Sequence, residues 1–296
     1  MVEKLIDDGK QVICVDDLSA GYIENLPKNN LLKFINAKIQ EFDTKDLDKD
    51  INGIFHLAAQ ASVPVSIDNF YSSSSNNLLS SIRVFEWAKI HNVPIVYASS
   101  SAVYGNLPIG DDQIGKYDIL SPYAQDKLTL EHYAEMCWNV YSTPSIGLRF
   151  FNVYGPRQDP TNPYSGVISI IINRLLQKLP VTINGGYQTR DFIYVKNIAD
   201  VMVQSMEYLF NKRLCEYLNV GTGTSITIDN LLGIIAKIMN IKPEVILKEL
   251  PPGDPEKSDG TYEKLITALN IDIGQFVKLE DGLRNTIDYI RNEQSK

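Results

Sequence analysis

Ile95-Val96-Tyr97-Ala98-Ser99-Ser100-Ser101 and, further on, Ser121-Pro122-Tyr123-Ala124-Gln125-Asp126-Lys127 decide how this chain is read. The first stretch is a short apolar strand that runs into three serines. The second opens a helix, with Ser121 as a capping residue and Pro122 at the first helical position. On that helix Tyr123 and Lys127 stand one turn apart on one face. A nearby positive charge favours phenolate, so Lys127 is expected to lower the Tyr123 pKa from about 10 toward the range of a general base. A serine at the end of the preceding strand would bridge that phenol to a substrate hydroxyl. The three groups suit removal of a proton from an alcohol while hydride leaves its carbon. At this spacing a tyrosine and a lysine also form ordinary exposed helix pairs, and three serines also form ordinary polar turns. Serines at the carboxyl end of a buried strand, where open α/β sheets hold their sites, favour the chemical reading.

The surrounding pattern is βαβ. Apolar strand candidates lie near 11–15, 31–35, 52–57, 93–98 and 144–150, and amphipathic segments near 72–91 and 121–141 separate the later ones. Such alternation predicts a parallel sheet with helices on both faces. The second half is more mixed. Helices are expected near 166–178, 196–210, 227–239 and 279–291, and short strands near 181–184 and 216–220. Ser72-Ser73-Ser74-Ser75 reads as a solvated helix start, and Pro251-Pro252-Gly253-Asp254-Pro255 as a loop.

Further motifs carry a resemblance. They are Val15-Asp16-Asp17-Leu18-Ser19-Ala20-Gly21, His56-Leu57-Ala58-Ala59-Gln60-Ala61-Ser62-Val63, Arg149-Phe150-Phe151-Asn152-Val153-Tyr154-Gly155-Pro156-Arg157 and Gln188-Thr189-Arg190-Asp191-Phe192. With the serine strand and the Tyr-x-x-x-Lys helix, they occur in an order that resembles the extended short-chain dehydrogenase/reductases, in the branch of NAD-dependent nucleotide-sugar epimerases and dehydratases. The resemblance covers nearly the whole chain. It implies an α/β fold: a doubly wound, Rossmann-like parallel sheet over 1–150 that binds NAD, and a smaller mixed α/β region over 151–296 that mainly binds substrate.

One family feature is missing. The Gly-rich turn after the first strand would lie before Met1. The chain opens instead on Val2-Glu3-Lys4-Leu5-Ile6-Asp7-Asp8-Gly9, which reads as the remainder of the first helix. The first strand and its pyrophosphate-binding amides are therefore expected to be absent, and NAD binding by the chain as given is expected to be poor. A misplaced start codon and a real truncation explain this equally. Gly221-Thr222-Gly223 follows a strand in the second half and reads as a strand-to-helix turn.

The resemblance also implies roles. Tyr123 is the base, Lys127 tunes it and binds the nicotinamide ribose, and Ser100 relays the proton, with Ser99 and Ser101 as alternatives. Asp16, Asp17, Ser19 and Gly21 would serve the adenosine end of NAD, and an acid at Asp16 would repel a 2′-phosphate. Leu57, Ala58, Ala59, Gln60 and Asn76 complete the cofactor set, and His56 is read as structural. Ser62, Ser100, Asn152, Arg157, Arg190, Asp254 and Ser258 would meet the substrate. Where sugar dehydratases carry an Asp-Glu pair after the serine, this chain has Ser101-Ala102, which favours 4-epimerisation of a UDP-hexose or UDP-N-acetylhexosamine through a 4-keto intermediate. The small Ser258 leaves room for a 2-acetamido group. Two departures are Lys38, where the family usually has an adenine-binding aspartate, and Pro251, where it often has an arginine. The alternatives are a dehydratase, decarboxylase or reductase on the same scaffold, and a chain inactive without its Gly-rich loop.

Composition sets the outer bounds. The chain has 296 residues and a net charge of −8, which argues against nucleic acid as a partner. Arg149, Arg157 and Arg190 still offer a local site for a small anion. The cysteines, Cys14, Cys137 and Cys215, are scattered in apolar contexts and read as reduced core thiols, with no metal site. No signal peptide and no apolar run of spanning length is seen, so a cytoplasmic protein without membrane contact is expected. Val84, Phe85, Trp87, Tyr133, Met136 and Trp138 exceed one core-facing stripe, and the resemblance implies a homodimer through these two helices.

Overall fold

The computed structural model describes residues 1–42, 51–162, 165–251 and 254–294. Pro252 and Gly253 of the expected proline-rich loop lie outside the described residues. The chain divides into two compact units, each assembled from separated stretches. One comprises Met1–Ser99, Asp126–Leu148 and Ala199–Tyr217. The other comprises Ser100–Gln125, Arg149–Ile198 and Leu218–Lys296.

The first half folds as its periodicity predicts. Helix α1 (Val2–Asp7) leads through Gly9, at φ 71°, into β1 (Val12–Asp16), which pairs in parallel with β2 (Leu32–Asn36). Then follow β3 (Ile54–His56), α2 (Val63–Asp68), α3 (Phe70–His91), β4 (Ile95–Ser100), α4 (Pro122–Tyr141) and β5 (Ser145–Phe150). With β9 (Cys215–Val220) they build a four-stranded sheet of order β3-β4-β5-β9, in which β3 and β4 run parallel.

The parallel sheet is interrupted. Among the described residues β1 pairs only with β2, and β3 only with β4. Yet Val15 and Ile35 of the first pair and Ile54, Ile95 and Tyr97 of the second sheet pack on one shared core with Val84, Phe85 and Trp87 of α3 and Leu130 and Ala134 of α4. Val84, Phe85 and Trp87 are 2 %, 2 % and 4 % exposed, so they face their own sheet and not a partner. The serine run is corrected as well. Helix α3 begins at Phe70, and Ser73 is buried and donates to Gln60 Oε1 at 2.8 Å.

The second unit has its own core. Ile168, Ile171, Ile172 and Leu175 of α5 (Val167–Leu176) pack with Leu231, Leu232 and Ile235 of α7 (Ile228–Met239) and Leu283, Ile287 and Ile290 of α9 (Leu279–Gln294). Two small sheets flank them. In one, β8 (Thr189–Tyr194) lies between β6 (Asn152–Tyr154), parallel to it, and β10 (Ser225–Thr227), antiparallel. The other is the parallel pair β7 (Val181–Asn184) and β11 (Val245–Lys248). Helices α6 (Val195–Asn211) and α8 (Glu263–Leu269) complete the elements used below. Strands β6, β8, β10 and β11 were not among the expected strands.

Candidate active site

Helix α4 starts where its sequence says. Ser121 Oγ accepts from the Ala124 N–H at 3.2 Å, and Pro122 is the first helical residue. Tyr123 is 9 % exposed and lies one turn before Lys127, which is 6 % exposed. Lys127 Nζ donates to the Ala98 carbonyl of β4 at 2.8 Å. Burial pulls the Lys127 pKa down to about 8, against the opposing charges of Asp126 and Glu131. The lysine that the sequence reads as a surface-capable helix residue is thus anchored to the serine strand.

The three serines are not equivalent. Ser99 is buried and donates to Glu131 Oε1 at 2.5 Å. Ser100 is half-buried and caps the short 3-10 turn Ser101–Tyr104, accepting from the Ala102 N–H at 3.1 Å. His56, read as structural, is buried with Nε2 at 3.0 Å from Ser81 Oγ. Burial first, and the Lys127 charge second, push its pKa down to about 3, so it is neutral at ordinary pH.

The proposed cofactor residues occupy two strand ends. Asp16 is exposed at the end of β1, with Oδ1 accepting from the Leu18 N–H at 2.8 Å. Asp17 accepts from the Ser19 N–H at 3.0 Å, and chiefly the hydrogen bond with Ser19 holds its carboxyl below the usual range. Gly21 is exposed, and a Cβ there would meet nothing within 4 Å. Leu57, Ala58, Ala59 and Gln60 follow β3 directly, with Leu57 44 % exposed. Asn76 accepts from Gln40 Nε2 at 3.3 Å. Lys38, the departure noted above, is exposed and pairs with Glu41 at 3.6 Å.

The proposed substrate residues are mostly engaged. Ser62 caps α2, its Oγ accepting from the Val65 N–H at 3.3 Å. Asn152 Nδ2 donates to the Asp191 carbonyl at 3.2 Å. Arg157 is exposed with φ 72°. Arg190 and Asp254, both placed on the substrate from sequence, form an ion pair with each other, and Arg190 Nη1 also donates to the Thr189 carbonyl at 2.7 Å. Asp254 lines a cavity of about 570 Å³ with Asn106, Pro108, Tyr187, Leu250, Pro251, Glu256 and Lys257. Ser258 is half-buried.

Arg149 is a correction. Offered from sequence as part of an anion site, it is fully buried and donates to Tyr104 Oη at 2.7 Å and Tyr117 Oη at 3.1 Å. Its guanidinium also lies 5.2 Å from both ring centroids. Gly221-Thr222-Gly223 holds a ligand from the chain itself. The Thr222 and Gly223 N–H groups donate to the Asp191 carboxylate at 2.9–3.0 Å, as does Tyr262 Oη at 2.6 Å.

Comparison with known proteins then decides the family. The profile described as "NAD dependent epimerase/dehydratase family" matches residues 1–221. The chain belongs to that family. A putative UDP-glucose 4-epimerase of Methanocaldococcus jannaschii is 31% identical, over 99% of this chain and 94% of its own length. Among solved structures, a UDP-N-acetylglucosamine 4-epimerase of Methanobrevibacter ruminantium, in complex with UDP-N-acetylmuramic acid, is 34% identical with TM-score 0.90, covering 99% of this chain and 94% of the other. A UDP-glucose 4-epimerase of Thermus thermophilus in complex with NAD is 31% identical with TM-score 0.85, covering 98% and 94%.

Next to Asn76, an expected cofactor contact, stands a residue that the sequence did not single out. Asn77 is buried. Its Oδ1 accepts from the Gln60 N–H at 2.7 Å, and its Nδ2 donates to the Gln60 carbonyl at 3.1 Å and to Asp126 Oδ2 at 3.0 Å. It clamps the loop after β3 to the helix of Lys127. The signal was present in the helical phase, because Asn77 shares the inward stripe of Ser73, Ser81, Val84 and Ala88, whereas Asn76 does not. Glu131, one turn beyond Lys127, is likewise a buried polar residue that the sequence did not single out.

Proposed function

We propose that this chain is an NAD-dependent nucleotide-sugar 4-epimerase acting on a UDP-hexose or UDP-N-acetylhexosamine. The observation that carries the reading is the buried Lys127, held on β4 one turn after Tyr123, with the half-buried Ser100 at the end of that strand. Tyr123 accepts the proton of the sugar C4 hydroxyl, and the Lys127 charge favours the phenolate that does so. Ser100 orients the hydroxyl. Ser99 is less suited, because its hydroxyl proton is given to Glu131. Ala102 offers no carboxyl to protonate a leaving hydroxyl, which favours epimerisation over dehydration. The chemistry that NAD would supply when held there is reversible hydride exchange with the sugar C4.

The residues present suit NAD at its ribose ends. Asp16 and Asp17 present carboxylates for the adenosine hydroxyls, and the small Ala58 and Ala59 permit close backbone approach. Leu57, Gln60, Asn76, Ser19 and Gly21 complete that side, so 1–150 is assigned mainly to cofactor. Ser62, Asn152, Arg157, Arg190, Asp254 and Ser258 are assigned to the sugar nucleotide, most of them in 151–296. The relatives named as UDP-glucose and UDP-N-acetylglucosamine 4-epimerases support this substrate class. The test is product analysis by NMR on UDP-glucose and UDP-N-acetylglucosamine. Interconversion with the galacto isomer, without loss of mass or net NADH, is expected. Loss of water or carbon dioxide would overturn the reading.

We further assign a homodimer through α3 and α4. Leu79, Ile82 and Ile90 are 53 %, 40 % and 60 % exposed, and Met136 and Val140 are 39 % and 63 % exposed, which leaves an apolar face uncovered. All three cysteines are free, and no helix among the described residues is long and apolar enough to cross a membrane, which fits work in the cytoplasm.

A further inference from the structure

Strand β11 differs from the other strands of the fold. All four of its residues are exposed, with Val245 at 40 %, Ile246 at 45 % and Leu247 at 69 %. Among the described residues it pairs on one edge only, with β7. The carbonyls of Glu244 and Lys248 accept from the Val181 and Gly185 N–H groups, each at 2.8 Å. A strand alternates the direction of its backbone groups, so Val245 and Leu247 turn their N–H and C=O groups to the open edge. An exposed apolar edge of this kind is a template for another strand.

We propose that β11 pairs with β11 of a second copy of this chain, antiparallel and across a two-fold axis at Ile246. The occupant follows from self-complementarity. With Ile246 opposite Ile246 of the second copy, Val245 meets Leu247 in hydrogen-bonded pairs, and every outward N–H and C=O of both residues finds a partner. The same register sets Glu244 opposite Lys248, twice by symmetry. Among the described residues neither side chain makes an ion pair, so both charges are available. Centring the pair on Val245 would bring in Pro243, which has no N–H. Centring it on Leu247 would set Ile246 against Lys248 and Val245 against Glu249. Only the Ile246 register satisfies backbone, apolar and charged residues together, and it is isologous, as a closed pair requires. Five residues a side make a small interface, so the association is weak and concentration-dependent.

This pairing is independent of the α3/α4 dimer, and the experiment separates them. Sedimentation velocity is run on the full chain in a Leu79→Glu background, which disables the helical face, from about 10 μM to about 1 mM. Glu244→Lys and Lys248→Glu are each expected to weaken self-association about tenfold, since like charges then face each other. An equimolar mixture of the two single variants is expected to restore it, because every cross-strand pair is then opposite in sign. The double exchange in one chain is expected to do the same. A background chain that stays monomeric throughout, an association that neither variant alters, or a mixture that fails to recover would overturn the proposal.

Discussion

The ends of β4 and β1 begin from the same kind of sequence, an apolar run passing into small polar or acidic residues, and the fold treats them differently. At β4 the surroundings are closed. Lys127 reaches the Ala98 carbonyl, Ser99 reaches Glu131, and Asn77 ties Asp126 of the same helix to the loop after the neighbouring strand. At β1 they are open. Among the described residues the strand has one partner, Ile13, Cys14 and Val15 are only half-buried, and the Asp16 carboxylate is exposed and accepts from the Leu18 N–H of its own turn. A group proposed to move a proton must be held before substrate arrives, whereas a carboxylate proposed to meet a ribose needs only to be present at the rim.

Each side of this contrast can be broken. The largest effect is expected at the closed end. Tyr123→Phe should lower turnover by roughly 10²–10⁴-fold with the circular dichroism spectrum unchanged, because only the proton-accepting oxygen is lost. Near-normal turnover would remove Tyr123 from the mechanism. Next, Asn77→Ala should cost about 1–3 kcal/mol in urea unfolding, since the Gln60 backbone and Asp126 lose a buried partner together. A cost below about 0.5 kcal/mol, the level expected of surface changes, would mean that the clamp is dispensable.

The smallest effect belongs to Asp16→Ala. Unfolding free energy should stay within about 0.5 kcal/mol of the parent, since the side chain is exposed. A loss above about 1 kcal/mol would show that β1 is held more firmly than its single partner implies.

Much of the architecture was legible. The strands near 11–15, 31–35, 93–98 and 144–150 appear as β1, β2, β4 and β5, and the Ser121-Pro122 start of α4 is a true cap. These succeed because period and capping are local. What the sequence left hidden shares one cause. Arg149 looked like an anion ligand because arginine usually reaches solvent, yet two tyrosines distant in sequence enclose it. Arg190 and Asp254 are each expected at the substrate, and only the fold shows that they also pair with each other. Asn76 and Asn77 are adjacent and chemically identical, and only the direction of the core separates their roles.

Composition, strand and helix periodicity and the ordered motifs by themselves determined the fold class, the family and a short list of candidate residues for its chemistry. Those properties depend on residue type and near-neighbour spacing, which a linear chain carries in full. The tertiary structure alone decided which serine keeps its hydroxyl clear of Glu131, which asparagine clamps the Gln60 loop, and that Lys127 is pulled down to about 8 by burial. It also decided that β11 ends as an uncovered edge. Burial and partner choice arise between segments far apart in sequence, and no local pattern encodes them.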